Sequence, residues 1–475
     1  MTIAQRRSVR ADLAAFLDPR SIVPAEDAAP YERGYRYGAG RAACVVRPGA
    51  IDELRAVVDY CVRNDVRFVV QGANTGLVGA SNPDDRGDQL LVNLDRLAGV
   101  EDIDPLDRSA VVLAGTRLSK VNEAARVHGL CFPIDLGADP TIGGMIATNT
   151  GGSRMLRFGD VRDNLLGLEV VLADTGASAI SNLSGLRKDN SGLDWKHLFV
   201  GTGGTFGVVT RARVKLHTLP TRTTSALIVP QTQEDIPQIV FLLEAGLGDL
   251  LHACEGMSRN AMRAAFRHNS SLRSPFADDI PPYALLVEVG TSLPEGIVAD
   301  LDAALADVLA PAFSDTAPLI KDVLVGRSED FWAIRHSISD GVARSGLVIA
   351  FDISVKRPEL PAFRAAATRM IARDFPMLDV YDFGHCGDGG DHFNLVWSDP
   401  ERTPEAERRP VIDAVRRQLY DLVVRDFGGT FSAEHGVGPS NQEFYDRYTP
   451  EAQRMLSSLL KEGLDAHGLI GNIRL

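Results

Sequence analysis

The chain has 475 residues, 45% of them hydrophobic and 24% charged, which is room for two or three domains of ordinary globular composition. Its 63 acidic residues outnumber 50 basic ones, giving a net charge of −13. That argues against nucleic acid or an anionic membrane as the main partner, because both reward clustered Lys and Arg. No apolar run is long enough to span a bilayer, and five scattered cysteines without a CxxC make a reducing cytoplasm the simplest expected location.

The N-terminal segment, 1–37, opens with MTIAQRRSVRADLAAFL. It lacks the apolar core and cleavage site of a signal peptide and is expected to be a short amphipathic helix. Between 44 and 81 the hydrophobic period changes. Ile51, Leu54, Val57, Val58 and Cys61 recur at helical spacing, then RFVVQ reads as a short buried strand. It runs into QGANTGLVGAS (71–81), a loop whose backbone amides can approach a diphosphate. This is neither a Walker A nor a Rossmann fingerprint, and taken singly it reads somewhat more readily as a plain turn. A second glycine-rich segment lies within 133–174, where Gly143-Gly144 and Gly151-Gly152 bracket Thr148, Asn149 and Thr150, and LLGLEVVLA follows as an expected central strand. A third, GTGGT at 201–205, again precedes a β-type run. Three such elements separated by strands and helices suggest one domain wrapped around a large dinucleotide.

Beyond this, HTLPTRTTSALIVPQ (217–231) reads as a Pro/Thr-rich crossover and a domain boundary. YALLVEV (283–289) is expected to be a strand, and IVADLDAALADVLA (297–310) a helix with Ile297, Leu301, Leu305 and Val308 on one face. A helix at 331–344, a strand LVIAFDISV (347–355), a helix at 361–375, two strands within 377–397 and a long helix at 404–427 follow. This alternation suggests a separate α+β lobe.

Within that lobe GHCGDGGDHFN (384–394) places His385 and His392 seven residues apart, too far to share a helix face. Across a tight glycine-rich bend the two rings can still meet. SAEHG adds Glu434 and His435. Two imidazoles and a carboxylate make an open ligand set for a divalent ion, and on spacing alone this is evenly matched by a polar turn. Asp388 and Asp391 in the bend are expected to be backbone hydrogen-bonders.

Together these segments resemble the FAD-binding domain of the vanillyl-alcohol oxidase/p-cresol methylhydroxylase flavoprotein superfamily. Within it, they are most similar to the branch containing D-2-hydroxyglutarate dehydrogenase, D-lactate dehydrogenase and the glycolate oxidase catalytic subunit. The similarity runs from roughly residue 40 to the last residue and rests on several motifs in order. It implies an α+β fold: a two-part FAD-binding domain with residues 38–218, a substrate-binding cap at 219–425, and a C-terminal helical segment, 426–475, that returns to the flavin domain. It also implies that Gln71, Gly72, Ala73, Asn74, Thr75 and Gly76 cradle the FAD diphosphate. Gly143, Gly144, Thr148, Asn149, Gly151 and Gly152 would lie along the cofactor, with Thr205, Gly207 and Val208 completing the site. The 71–81 loop has neither His nor Cys for a flavin bond, so FAD is expected to be noncovalent.

The same resemblance makes His385, His392 and Glu434 ligands of zinc or a similar divalent ion. It makes His435 the base that takes the substrate hydroxyl proton, a role suited to a neutral imidazole. Arg335 matches a substrate-carboxylate arginine, with Ser339 one helical turn on and Asn394 on the His392 strand. Three positions depart from the family pattern: Ala350 and Asn441 replace usual lysines, and GNIR (471–474) replaces Asn-Pro-Gly-Lys. These leave side-chain specificity open, although Lys356 is expected on the same strand face as Ala350.

The implied activity is oxidation of a small D-2-hydroxyacid, such as D-2-hydroxyglutarate or D-lactate, to the 2-oxo acid. Electrons would go to a non-nicotinamide acceptor such as an electron-transfer flavoprotein or a quinone, since no NAD fingerprint is present. A homodimer is compatible with this assignment. A flavoenzyme of the same superfamily acting on glycolate or another alcohol, and a non-catalytic flavin- or metal-binding protein, are the alternatives.

Overall fold

The computed structural model describes residues 3–314 and 316–475. Contacts divide the chain into two units: residues up to Gly152 with Gly159–Leu219 and Glu434–Leu475, and Ser153–Phe158 with Pro220–Ala433. The cap expected at 219–425 compares with this second unit, which extends to Ala433 and takes in a six-residue segment from the middle of the second glycine-rich region.

In the first unit, Ala42–Val46, Gln89–Asn93 and Phe68–Gln71 form a parallel sheet in that spatial order. Every residue of Gln89–Asn93 is buried, as the central strand of a sheet covered on both faces requires. The helix Ile51–Arg63 buries Leu54, Val57, Val58, Cys61 and Val62 on one stripe. Asp52 and Glu53 in its first turn and Arg63 in its last complement the helix dipole. An antiparallel five-stranded sheet runs Val100–Asp104, Ser109–Leu113, Val208–Lys215, Leu165–Val171, Ala179–Asn182 in space, so LLGLEVVLA does form an interior strand. Phe68, Leu90, Val112, Ile146, Leu168 and Ala212 meet in one core shared by both sheets.

The last residues return to this unit. The Phe68 amide donates to Leu469 O at 2.9 Å and the Gly471 amide to Phe68 O at 2.8 Å, extending the parallel sheet at its edge. Lys461 Nζ clamps the arrangement, lying 2.6 Å from Thr205 O, 3.0 Å from Ile470 O and 2.6 Å from Asp465 Oδ2.

The second unit is built on an eight-stranded sheet in which every pairing is antiparallel. Its path is Ile320–Gly326, Arg222–Pro230, Tyr283–Thr291, Leu251–Ser258, Leu378–Gly384, Gly390–Trp397 and Leu347–Ile349, with Asp352–Ser354 also paired to Gly390–Trp397. The helices Arg259–His268 and Ser328–Ala343 cover one face, burying Leu227, Met257, Met262, Leu286, Ile334 and Ile338 together.

Five expectations change here. The stretch read as a crossover from 217 to 231 becomes a strand from Arg222 to Pro230, paired on both sides; its β-branched threonines suit a pleated surface. The helix expected at 297–310 starts only at Leu301, because the Asp300 side chain caps it by accepting from the Asp302 and Ala303 amides at 2.9 and 3.2 Å. Ile297 therefore lies outside the helix and is 68% exposed. The strand expected at 347–355 is broken at Ala350 and Phe351 into Leu347–Ile349 and Asp352–Ser354. Lys356 lies beyond the second piece, exposed, at the start of a 3₁₀ turn, so it shares no strand face with Ala350. The long helix at 404–427 is α-helical over Glu405–Asp421 and widens to a π turn over Leu422–Asp426. Among the described residues no helix is long and apolar enough to cross a membrane.

Candidate flavin and metal sites

The 72–81 loop leaves the C-terminal end of a parallel strand, the edge at which sheets of this kind place ligands. Gln71 anchors its start: buried, it donates from Nε2 to Tyr31 O (2.9 Å) and Ser81 O (3.1 Å) and accepts from Asn93 Nδ2 (3.0 Å). Asn74, at φ +55°, donates to Arg33 O at 2.7 Å and accepts from Ser81 Oγ and Asn82 Nδ2 at 3.2 and 3.3 Å. These side chains shape the loop and leave recognition to the backbone. Among the described residues, no amide from Gly72 to Gly76 donates a hydrogen bond, although Gly72 to Thr75 are partly buried. Sheltered amides without protein acceptors suit an anionic ligand such as a diphosphate.

A Cβ at Gly72 would overlap Thr141 Oγ1. Thr141 in turn caps the helix Ile142–Thr148, accepting from the Gly144 amide at 3.3 Å. A Cβ at Gly143 would lie 2.8 Å from Ala114 Cβ, so glycine lets this helix sit directly on the preceding turn. Thr148 Oγ1 donates back to Gly144 O at 3.1 Å and lies 2.8 Å from Thr150 Oγ1. Asn149 closes the helix in the left-handed conformation, donating to Asp160 Oδ2 at 2.6 Å and accepting from the Arg162 amide at 3.0 Å. Gly151 and Gly152 follow, both buried.

The third segment docks on the same helix: the Gly201 and Gly203 amides donate to Ile146 O and Ala147 O at 3.0 and 2.8 Å. Thr205 is buried with its hydroxyl on Thr202 O (2.8 Å), and Gly207 leads into Val208–Lys215 with no space for a Cβ beside Val170 and Phe199. All three glycine-rich segments thus meet in one unit. The side chains of Gln71, Asn74, Asn149, Thr205 and Val208 are scaffold, while Gly72, Ala73, Thr75 and Gly76 offer backbone. The donors present fit FAD.

In the second unit the Leu378–Gly384 and Gly390–Trp397 strands close a hairpin whose bend brings His385 and His392 together, ring centroids 5.3 Å apart and nearly perpendicular. Cross-strand register sets Asp352 opposite His392, with Oδ1 3.8 Å from Nδ1. Residues 430–433 run alongside Asp352–Ser354: the Thr430 amide donates to Ser354 O (2.9 Å) and the Ala433 amide to Asp352 O (3.1 Å). Glu434 and His435 are the next two residues of the chain, with His435 Nε2 3.9 Å from Glu434 Oε1. Asp352 and His392 thus pair within the second unit, while Glu434 and His435 open the stretch of chain that belongs to the first. The His385 and His392 imidazoles with the Asp352 carboxylate suit a divalent cation of borderline hardness. Asp352 is a candidate ligand that sequence reasoning missed.

Asn394, two residues beyond His392, is buried and donates to His392 O at 3.0 Å. Ser339 is partly buried on the Ser328–Ala343 helix. Arg335, one turn earlier on that helix, is buried over the Phe383 ring, 4.8 Å from its centroid, and its Nε donates to Glu255 Oε2 at 2.7 Å. Glu255 Oε1 lies 2.6 Å from His385 Nδ1. Burial pushes the Glu255 carboxyl up, but His385 and Arg335 outweigh it and bring it down to about 2, leaving it ionised. Glu255 was also missed, and its signal is HACEGMS, a lone acid inside an apolar strand.

Asp388 behaves as expected for the bend, accepting from the Gly390 amide at 2.9 Å. Asp391 does not. It is buried, neither of its carboxylate oxygens has a hydrogen-bond partner among the described residues, and Arg364 Nε is 3.7 Å away. Burial and the neighbouring Asp382 push its carboxyl well up, because β pairing turned this side chain into the core instead of back onto the turn.

Fold and site together define an FAD-linked oxidoreductase. Residues 42–177 match the FAD binding domain family and residues 219–472 the C-terminal domain of FAD linked oxidases. The chain belongs to this FAD-linked oxidase family. A D-2-hydroxyglutarate dehydrogenase from Xanthomonas citri pv. viticola is 32% identical over 435 residues, covering 90% of this chain and 87% of that protein. The mitochondrial D-2-hydroxyglutarate dehydrogenase of Bos taurus is 30% identical over 460 residues, 95% and 79% of the two chains. The fold is shared with p-cresol methylhydroxylase with substrate bound (TM-score 0.73, 15% identity, covering 99% of this chain and 96% of that one). It is also shared with 4-ethylphenol oxidase from Gulosibacter chungangensis (TM-score 0.73, 18% identity, covering 99% and 96%).

Proposed function

We propose that the protein oxidises a small D-2-hydroxyacid, of which D-2-hydroxyglutarate and D-lactate are the first to test, to the corresponding 2-oxo acid with FAD and a divalent metal ion. The observation that carries this is the grouping of Asp352, His392 and His385 within the second unit, in a chain similar over nine-tenths of its length to D-2-hydroxyglutarate dehydrogenases. Bound FAD supplies the acceptor for a hydride. A bound divalent ion would supply a Lewis acid that lowers the pKa of a substrate hydroxyl, and His385, His392 and Glu434, with Asp352, are the residues that would hold it.

His435 accepts the hydroxyl proton on an imidazole nitrogen, and the α-hydrogen leaves with its electron pair, so one proton and one hydride are lost per turnover. Arg335 offers its Nη groups to a substrate carboxylate while Nε is held by Glu255. Asn394 and Ser339 offer hydrogen bonds on the same unit. Electrons then pass to a non-nicotinamide acceptor, an electron-transfer flavoprotein or a quinone.

The test is anaerobic mixing of FAD- and metal-loaded protein with D- and L-isomers of mono- and dicarboxylic 2-hydroxyacids, followed by the oxidised-flavin absorbance. Bleaching by D-isomers alone is expected; no bleaching with any of them would sink the proposal. A dye acceptor supporting turnover where NAD does not checks the last step.

A further inference from the structure

Glu255 sits where an acid is costly, in the middle of the Leu251–Ser258 strand, every residue of which is buried. An ionised carboxylate is tolerated in such a place only when paired and hydrogen-bonded. Here both oxygens are used: Oε1 with His385 Nδ1 at 2.6 Å and Oε2 with Arg335 Nε at 2.7 Å. The three side chains come from three elements, namely the strand, the bend of the 378–397 hairpin and the Ser328–Ala343 helix. The bend is seated on the same strand by the Gly387 amide, which donates to Cys254 O at 3.1 Å, and by Cys386 Sγ, 3.7 Å from Cys254 Sγ. The backbone therefore holds His385 within reach of Glu255 independently of the side-chain bond.

The chemistry of the pair sets the state of the ring. An ionised carboxylate only accepts, so His385 Nδ1 must be the donor, and in the neutral imidazole the lone pair is then on Nε2. Metal-binding histidines carry this arrangement, with an outer carboxylate fixing tautomer and ring orientation. We propose that Glu255 is a positioning residue that holds His385 as an Nε2 donor for a divalent cation. Through its other oxygen it ties Arg335 to the same anion, so that the ligand and the substrate-side cation are set by one buried group. This rests on the metal-dependent reading given above, and it extends that reading to a residue that would not itself touch the cation.

Glu255→Gln tests it with little change in shape. The amide can accept from Arg335 Nε only if its NH₂ faces His385 Nδ1, which drives the ring proton to Nε2 and removes the donor lone pair. Two measurements on full-length, FAD-loaded protein are needed. Chelator competition with Co²⁺ as probe should show affinity reduced about 10- to 100-fold in the Gln variant, with FAD per chain unchanged. The ¹⁵N shifts of His385 should show Nδ1–H in the metal-free native protein and Nε2–H in the variant.

Unchanged Co²⁺ affinity in the variant would overturn the proposal, as would Nε2–H in the native protein, a result that needs no variant to fold. If the native protein bound no Co²⁺, the metal reading would fail by itself. The tautomer shifts would then still decide whether Glu255 sets the ring: Nδ1–H switching to Nε2–H supports it, and no switch overturns it.

Discussion

Arg154 and Glu288 form a two-point ion pair inside the second unit. Arg154 Nε lies 2.7 Å from Glu288 Oε1 and Nη2 lies 3.2 Å from Oε2, and Trp332 Nε1 donates to Oε2 at 2.8 Å. Glu288 is buried in the Tyr283–Thr291 strand. The pair ties Ser153–Phe158, which follows directly on Gly152, to the second unit. Removing one partner strands a buried charge, so Arg154→Met should destabilise this unit by about 3–5 kcal/mol. Adding Glu288→Gln should restore part of that loss. Urea unfolding followed by tryptophan fluorescence reads both, and a double variant as unstable as the sum of the singles would count against the coupling.

The same carboxylate makes the protein sensitive to acid. Burial pushes the Glu288 carboxyl up, and His252 and Arg154 more than offset this, holding it at about 2 against an ordinary 4.5. A depressed folded-state pKa gives stability that is fully present above about 4.5 and lost as pH falls towards 2; the contribution is roughly 3 kcal/mol. Glu288→Gln should therefore be less stable at pH 7 and show a shallower fall in stability between pH 5 and pH 2 (roughly the span set by the two pKa values). Parallel acid profiles for the two proteins would argue that the carboxylate is not ionised in the folded state.

Flavin retention should separate two glycines of one loop. Gly72→Ala pushes a methyl into Thr141 Oγ1 and disturbs the cap of the Ile142–Thr148 helix, whereas a Cβ at Gly76 meets nothing within 4 Å. Loss of such a cap costs about 1 kcal/mol, roughly fivefold in FAD affinity, and the altered loop adds to this. Gly76→Ala should keep the fold, with any loss of FAD arising from the ligand side alone. Flavin absorbance per chain during dilution distinguishes the two variants.

His435→Ala should lower kcat by about 10²- to 10⁴-fold while FAD content is retained. Wild-type kcat in this variant would mean that the hydroxyl proton goes elsewhere.

Chelation should abolish turnover without releasing FAD, because the flavin loops and the Asp352–His392 pair use separate donors. Activity should return when a divalent ion is restored, and His392→Ala should need far more of it. Full activity after exhaustive chelation, with metal shown absent by elemental analysis, would remove the metal from the mechanism.

The sequence alone determined the parts of this protein whose physics is local. Glycine-rich loops after apolar strands follow from φ and amide chemistry within a few residues, and the stripe of Ile51–Arg63 follows from helical period. The bend at 384–390 brings His385 and His392 together because glycines allow it. Tertiary structure decided what lies opposite what. Asp352 became a neighbour of His392 only through the register of Asp352–Ser354 on Gly390–Trp397, after a break at Ala350 and Phe351 that strand period does not reveal. Glu255 and Glu288 stand in the sequence as single acids in apolar strands, a warning that each has a cationic partner. Those partners, Arg335 and Arg154, lie 80 and 134 residues away. Periodicity reports which face of an element is buried, whereas charge pairing depends on which elements share that face, and long-range packing alone sets that.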